Sequence, residues 1–268
     1  MSKKKISILG CGWLGFPLAQ FFVANGYQVK GSTTSTEKLP KLKSAGITAF
    51  LIDLKKLDSE QSVLFFNDID VLIINIPPGR PIIKGAYASY MKNILPFIEA
   101  RTKVIFISST SVYPSTNSWV DESTPLITHG NGKEIVAAEN CLKEALKNRV
   151  SILRFSGLIG YDRRPGRFLA NKKELKNGSS PVNLIHRDDC IALIYKIIEQ
   201  GAWGEVFNGA ADEHPLRKDF YTEAALKLKL TPPIFVENTN DAFKLISNKK
   251  SQSLLNFTYK YKSPYEAL

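Results

Sequence analysis

The segment Gly10-Cys11-Gly12-Trp13-Leu14-Gly15 limits what this chain can fold into more than any other. It matches G-x-G-x-x-G, a pattern that carries weight only between a strand and a helix. Both neighbours are present. Ile6-Ser7-Ile8-Leu9 reads as a buried strand, and Leu14 to Asn25 as an apolar helix. Each glycine then has its own task. Gly10 permits the tight turn, Gly12 lets the backbone approach a pyrophosphate, and Gly15 lets the helix pack close to the strand. The free N–H groups of the helix start, around Trp13 and Leu14, face the phosphates. Gly10, Gly12, Trp13, Leu14 and Gly15 are therefore candidate cofactor-binding residues.

The end of the second strand selects between dinucleotides. An NAD site places Asp or Glu there for the ribose 2′-hydroxyl. Here the strand ends near Gly31 and runs into Ser32-Thr33-Thr34-Ser35, with no carboxylate before Glu37. Ser32, Thr33, Thr34 and Lys38, with Lys30 nearby in sequence, could receive a 2′-phosphate instead. NADP is preferred on this reading and NAD is the alternative.

Further strands are expected at Ile47 to Ile52, Val71 to Ile76, Val104 to Ile107 and Val150 to Phe155. Helices are expected at Glu37 to Ala45, Tyr87 to Glu99 and Glu134 to Leu146. This alternation implies an α/β fold: a Rossmann-type doubly wound parallel sheet with a small C-terminal substrate lobe. The core is expected over 1–158, with 183–209 returning to it, and the lobe over 159–182 and 210–268. Helical patterns recur at Asp189 to Gln200, Arg217 to Leu228 and Ala242 to Ile246.

The net charge is +11, from 36 basic and 25 acidic residues. The lysines are spread along the chain without an arginine-rich arm, so a solvated surface is preferred over a nucleic-acid interface. No apolar run reaches the roughly 18 residues of a membrane span. Three cysteines and three scattered histidines suggest neither a disulfide framework nor a metal site. The expected setting is the cytoplasm. The cluster Arg163, Arg164 and Arg167 is either a clamp for an anionic substrate or a charged surface loop.

Ile107-Ser108-Ser109-Thr110-Ser111-Val112-Tyr113-Pro114, with Asp121-Glu122-Ser123-Thr124-Pro125 after it, resembles a stretch of the extended short-chain dehydrogenases, the NAD-dependent epimerase/dehydratase group. Leu153 to Gly160, Asn183 to Asp189 and Val206 to Gly209 resemble the same family. With the glycine turn they cover most of 5–210 in the family's order. Within the family the chain resembles the short, atypical YeeZ-like branch. The resemblance implies that Asp53 and Leu54 face an adenine, and that Asn75, Ile76 and Pro77 lie under the ribose and nicotinamide. It implies that Ser109 hydrogen-bonds the reacting oxygen and that the helices at Tyr87 to Glu99 and Glu134 to Leu146 can pair in a homodimer, with a monomer equally open. His186 and Arg154 are implied to shape the site rather than to react.

One family signature is missing. The family's proton transfer rests on Tyr-x-x-x-Lys, where the lysine brings a phenol of pKa near 10 into range. None of the ten tyrosines has a lysine four residues on. Taking Glu139 as the family's following Glu places Ile135 at the lysine and Asn131 at the tyrosine. The readings left open are an oxidoreductase or epimerase that uses Ser109, Tyr113 and Lys133 on a small polar substrate, with an anionic one among the options, and a dinucleotide-binding sensor without turnover.

Overall fold

Seven strands assemble into one sheet in the computed structural model, which describes residues 4–57, 60–79, 83–130, 132–237 and 242–268. The strands and helices in chain order are β1 (Lys5–Leu9), α1 (Gly15–Ala24), β2 (Gln28–Thr33), α2 (Leu39–Ser44), β3 (Thr48–Leu51), α3 (Glu60–Phe66), β4 (Val71–Ile74) and α4 (Ala86–Ile94). Next come β5 (Lys103–Ser109), β6 (Ser118–Val120), α5 (Lys133–Leu146), β7 (Val150–Phe155), β8 (Gly157–Ile159), α6 (Gly166–Leu169), β9 (Leu184–His186) and α7 (Arg187–Gln200). The last are β10 (Val206–Gly209), α8 (Arg217–Lys227), β11 (Lys244–Ile246) and α9 (Lys249–Leu255).

The sheet order is β10-β7-β5-β4-β1-β2-β3, and β1 pairs in parallel with both β2 and β4. The strand order reverses between β1 and β4, the point where open α/β sheets bind ligands beyond the carboxyl ends of their strands. The central strand β4 is apolar throughout because both its faces are covered. All four residues of β4 and the last four of β1 are buried.

The chain clusters into two compact units. The first comprises 1–108, 127–153 and 201–206, and the second 109–126, 154–200 and 207–268. In the first, Leu18, Ala19 and Phe22 form the buried stripe of α1. Phe50, Phe65, Phe66 and Phe97 form a chain of ring contacts that fixes α3. In the second there are two short parallel pairings, β8 with β9 and β6 with β11, and Ile159 of β8 and Leu184 of β9 join Val182 and Phe220 in a buried cluster.

Four local expectations change. The second strand continues past Gly31 to Thr33. The α-helix expected over Tyr87 to Glu99 ends at Ile94 and becomes a 3-10 turn through Phe97, because Pro96 cannot donate the next helical hydrogen bond. Lys244 to Ile246 is strand, not helix, because it pairs with Ser118 to Val120. Of the segment expected to return to the sheet, Val206 to Gly209 does so, whereas Leu184 to His186 pairs with β8 instead.

Candidate functional site

The glycine turn is held from two sides. The Gly10 N–H donates to Ser32 Oγ at 2.9 Å, and the Cys11 N–H to the Ser32 carbonyl at 2.8 Å. From β4, Asn75 Nδ2 donates to the Gly10 carbonyl at 2.9 Å. The three glycines answer different constraints. Gly10 sits at φ +100°, and a Cβ there would lie 2.6 Å from the Asn75 carbonyl oxygen. At Gly15 a Cβ would lie 2.2 Å from the Gly10 carbonyl oxygen. At Gly12 it would meet nothing within 4 Å. Two glycines are thus required by the protein's own packing, and the third faces open space.

That space belongs to a cavity of 310 Å³ beyond the carboxyl ends of β1 to β4. Of the residues expected at the cofactor, Gly10, Gly12, Ser32, Thr33, Thr34, Lys38, Asp53, Leu54, Ile76 and Pro77 line it. Trp13, Leu14, Gly15 and Asn75 do not. Leu14 and Gly15 are buried in the start of α1, and Asn75 braces the turn. Tyr90 lines the cavity as well, and sequence reasoning missed it. It stands beside the buried residues Tyr87, Met91 and Ile94 of α4, so in sequence it looks like one more member of an amphipathic stripe.

The polar groups at the end of β2 are unequally free. Ser32 accepts from the turn, and Thr33 Oγ1 accepts from the Ser35 N–H at 3.2 Å. Thr34 and Lys38 are exposed on the cavity wall. Glu37, the first carboxylate after β2, binds the Ser35 hydroxyl and does not line the cavity. Lys30 turns away: its ammonium donates to the carbonyls of Leu64 and Asn67, each at 2.6 Å, at the C-terminal end of α3. Cations are favoured there by the free carbonyls. Cys11 is half-buried, and burial pushes its thiol up to about 12, away from the thiolate form a nucleophile needs.

The expected catalytic residues have different surroundings. Lys133 is exposed at the first position of α5, in the first unit. In the second unit, Ser109 caps the turn Thr110–Val112 by accepting from the Ser111 N–H at 3.1 Å. Tyr113 is 2% exposed. Its hydroxyl donates to Asn208 Oδ1 at 2.8 Å and accepts from Arg154 Nη1 at 2.8 Å. Burial pushes the phenol up to about 12 against the opposing pull of the Arg154 guanidinium. Asn131 lies outside the described residues.

Tyr113 is one member of a larger network. The Asn208 N–H donates to Glu122 Oε1 at 2.6 Å, Asn208 Nδ2 to the Ser247 carbonyl at 3.1 Å, and Lys244 Nζ to the Tyr113 carbonyl at 2.6 Å. Burial raises the Glu122 carboxyl above its ordinary range. The later motifs, remote in sequence, therefore meet as a buried clamp. His186 is structural too: its ring stacks on Tyr261 at 3.8 Å, and its Nδ1 accepts from the Asp188 N–H at 3.2 Å. The neighbouring Asp189 carboxylate accepts from the N–H groups of Lys260 and Tyr261.

A Rossmann strand order with a glycine turn at its switch point defines an α/β protein of the dinucleotide-binding Rossmann class. No family model matches the chain. Protein YeeZ of Escherichia coli K12 is 34% identical over 272 residues, covering 97% of each chain. Among solved structures, a Methylobacillus flagellatus protein provisionally assigned as an NAD-dependent epimerase/dehydratase is 26% identical, with a TM-score of 0.80 over 99% of this chain and 96% of that one. The UDP-glucuronic acid 4-epimerase of Bacillus cereus, solved with NAD, has a TM-score of 0.77 at 22% identity over 98% and 95%. The chain belongs to the YeeZ family, within the NAD-dependent epimerase/dehydratase group.

Proposed function

We propose that the first unit binds NADP, or NAD less tightly, and that the protein is an NAD(P)-dependent oxidoreductase or epimerase acting on a small polar substrate. The observation that carries this reading is Gly12. It is the one glycine of the turn whose missing Cβ leaves room facing a cavity rather than room filled by the protein. A pyrophosphate at the start of α1 needs that room. Ser32 to Thr34, Lys38, Asp53 and Leu54 would hold the adenosine half, with Ile76 and Pro77 leading toward the nicotinamide. The bound cofactor would supply the hydride donor or acceptor. NAD in the Bacillus cereus epimerase supports the dinucleotide. Exposed Thr34 and Lys38, with Glu37 turned away, support the 2′-phosphate. Ser109 and Lys133 remain the candidates for polarising the substrate. The structural duties of Tyr113 set it apart from them. The same reading places the protein in the cytoplasm, which three free cysteines support. No helix among the described residues is long and apolar enough to cross a membrane.

The engaged Tyr113 hydroxyl and the missing Tyr-x-x-x-Lys favour a second reading, a cofactor-binding sensor without turnover. Fluorescence titration with NADPH and NADH tests the first step. Binding of both, tighter for NADPH, is expected, and binding of neither sinks the proposal. Cofactor oxidation across a panel of carbonyl compounds then separates the two readings. Turnover supports the enzyme, whereas a rise in Tm with cofactor and complete inertness supports the sensor.

A further inference from the structure

The second unit holds a cavity that the cofactor reading does not use. It measures 360 Å³, within the range of small-molecule sites. Tyr161, Arg164, Pro165 and Gly166 form one side, Ala224, Lys227 and Leu228 of α8 and its end another, and Ala267 and Leu268 the rest. We propose that this cavity binds a small organic anion, a phosphate or carboxylate head on a short apolar body, with Arg164 and Lys227 holding the head.

The walls are fixed. A Cβ on Gly166 would lie 2.1 Å from the Ala224 carbonyl oxygen, so α6 and α8 meet backbone to backbone. Tyr161 is held at φ +53°, uncommon for a residue with a side chain. Its hydroxyl donates to Asp188 Oδ1 at 2.8 Å, and the Arg187 guanidinium lies 4.0 Å from its ring centre. A residue kept in such a conformation is over-determined by its surroundings, a condition that clusters at ligand sites.

The charge is positive and available. Arg164 Nε donates to the Tyr161 carbonyl at 3.2 Å, which ties the guanidinium to the rim. Its two terminal amino groups have no partner among the described residues, a geometry suited to a bidentate grip on an oxyanion. Lys227 pairs with Glu223 at 3.4 Å, but the two side chains are 47% and 48% exposed. An exposed pair contributes little, so an anion can displace it. Among the described residues no acidic side chain lines the cavity, and Pro165, Ala224 and Leu228 supply apolar surface for the body of the ligand.

Saturation-transfer NMR with n-butyl phosphate, butyrate and n-butanol tests the proposal. At least one of the two acids is expected to bind at millimolar concentration, the better one identifying the head, and n-butanol is not. Arg164→Gln should weaken binding about tenfold, the loss of one charged hydrogen-bonding partner. Lys227→Gln should weaken it less, and Glu223→Gln should strengthen it by freeing Lys227. Gly12→Val should leave it unchanged, which separates this cavity from a phosphate site at the glycine turn. Thermal melts confirm that each variant is folded. No binding of either acid, equal binding of n-butanol, unchanged binding in Arg164→Gln or loss in Gly12→Val would each overturn the proposal.

Discussion

The glycine turn and the Tyr113 clamp both consist of short motifs with buried polar groups, yet they spend those groups differently. At the turn, Ser32 and Asn75 hold the backbone while Gly12 stays bare toward a cavity. In the clamp, Tyr113, Arg154, Asn208 and Glu122 are bonded to one another or to backbone. A network satisfied from within rigidifies a fold and leaves little for a ligand. A turn braced from outside, with one face open, is prepared for one. Motif strength in sequence therefore does not sort residues into those that touch a ligand and those that hold the frame.

Within the turn, Gly15 and Gly12 should behave oppositely, and Gly15 should give the largest effect. Gly15→Ala drives a methyl group into the Gly10 carbonyl. The expected cost is about 3 kcal/mol, read as a lower urea midpoint. An unchanged midpoint would mean that α1 can slide away from the turn, and the distinction between the glycines would collapse.

The second unit should carry its own pH dependence. Burial pushes the Asp189 carboxyl from 3.8 up to about 6 even though it accepts two backbone N–H groups. A pKa raised by folding gives stability that is full below the unfolded value and is lost as pH rises through the folded one. The stability of the protein relative to Asp189→Asn should therefore fall between pH 4 and 7, by at most about 3 kcal/mol for a shift of this size. Burial lowers the His186 pKa and gives the opposite slope below pH 6.5, but that slope is common to both proteins and cancels in the difference. A flat difference would show that Asp189 titrates normally.

Gly12→Val and Tyr113→Phe form the direct test of the contrast. A Cβ at 12 meets no protein atom within 4 Å, and a valine fills the space a pyrophosphate needs, so Tm should hold while cofactor affinity drops about a hundredfold, or about 2.7 kcal/mol. Phenylalanine at 113 removes a hydroxyl that both donates and accepts in the clamp. It should cost about 1–2 kcal/mol of stability and leave cofactor affinity intact. If Tyr113→Phe instead spares stability and abolishes turnover, the tyrosine is catalytic after all.

What could be read in advance follows the range of the interactions. The strand, turn and helix around Gly10 to Gly15 show in their local periodicity, although Asn75 of the distant β4 end braces the turn. Lys244 to Ile246 had no such signal, since its strand partner lies at Ser118 to Val120. The side chain of Asn183 adds bonds to Lys244 and Ile246 that mimic a third strand. Lys30 stands close in sequence to the candidate phosphate ligands, but its side chain leaves β2 for the end of α3. Tyr113 carried a recognisable motif whose partners at Arg154 and Asn208 only the fold brings together.

Lys38 offers the smallest and most selective change. It stands exposed on the cavity wall with Thr34, and no carboxylate from the end of β2 joins them there. An exposed ammonium interacts with a phosphate through high dielectric, so its contribution should be about 1 kcal/mol. Lys38→Gln should therefore weaken NADPH about fivefold at low salt and leave NADH unchanged. The loss should shrink as ionic strength rises, because the pair is open to counterions. Equal weakening of both cofactors would show that Lys38 meets the pyrophosphate or the adenosine instead, and the preference for NADP would then rest on Thr34 alone.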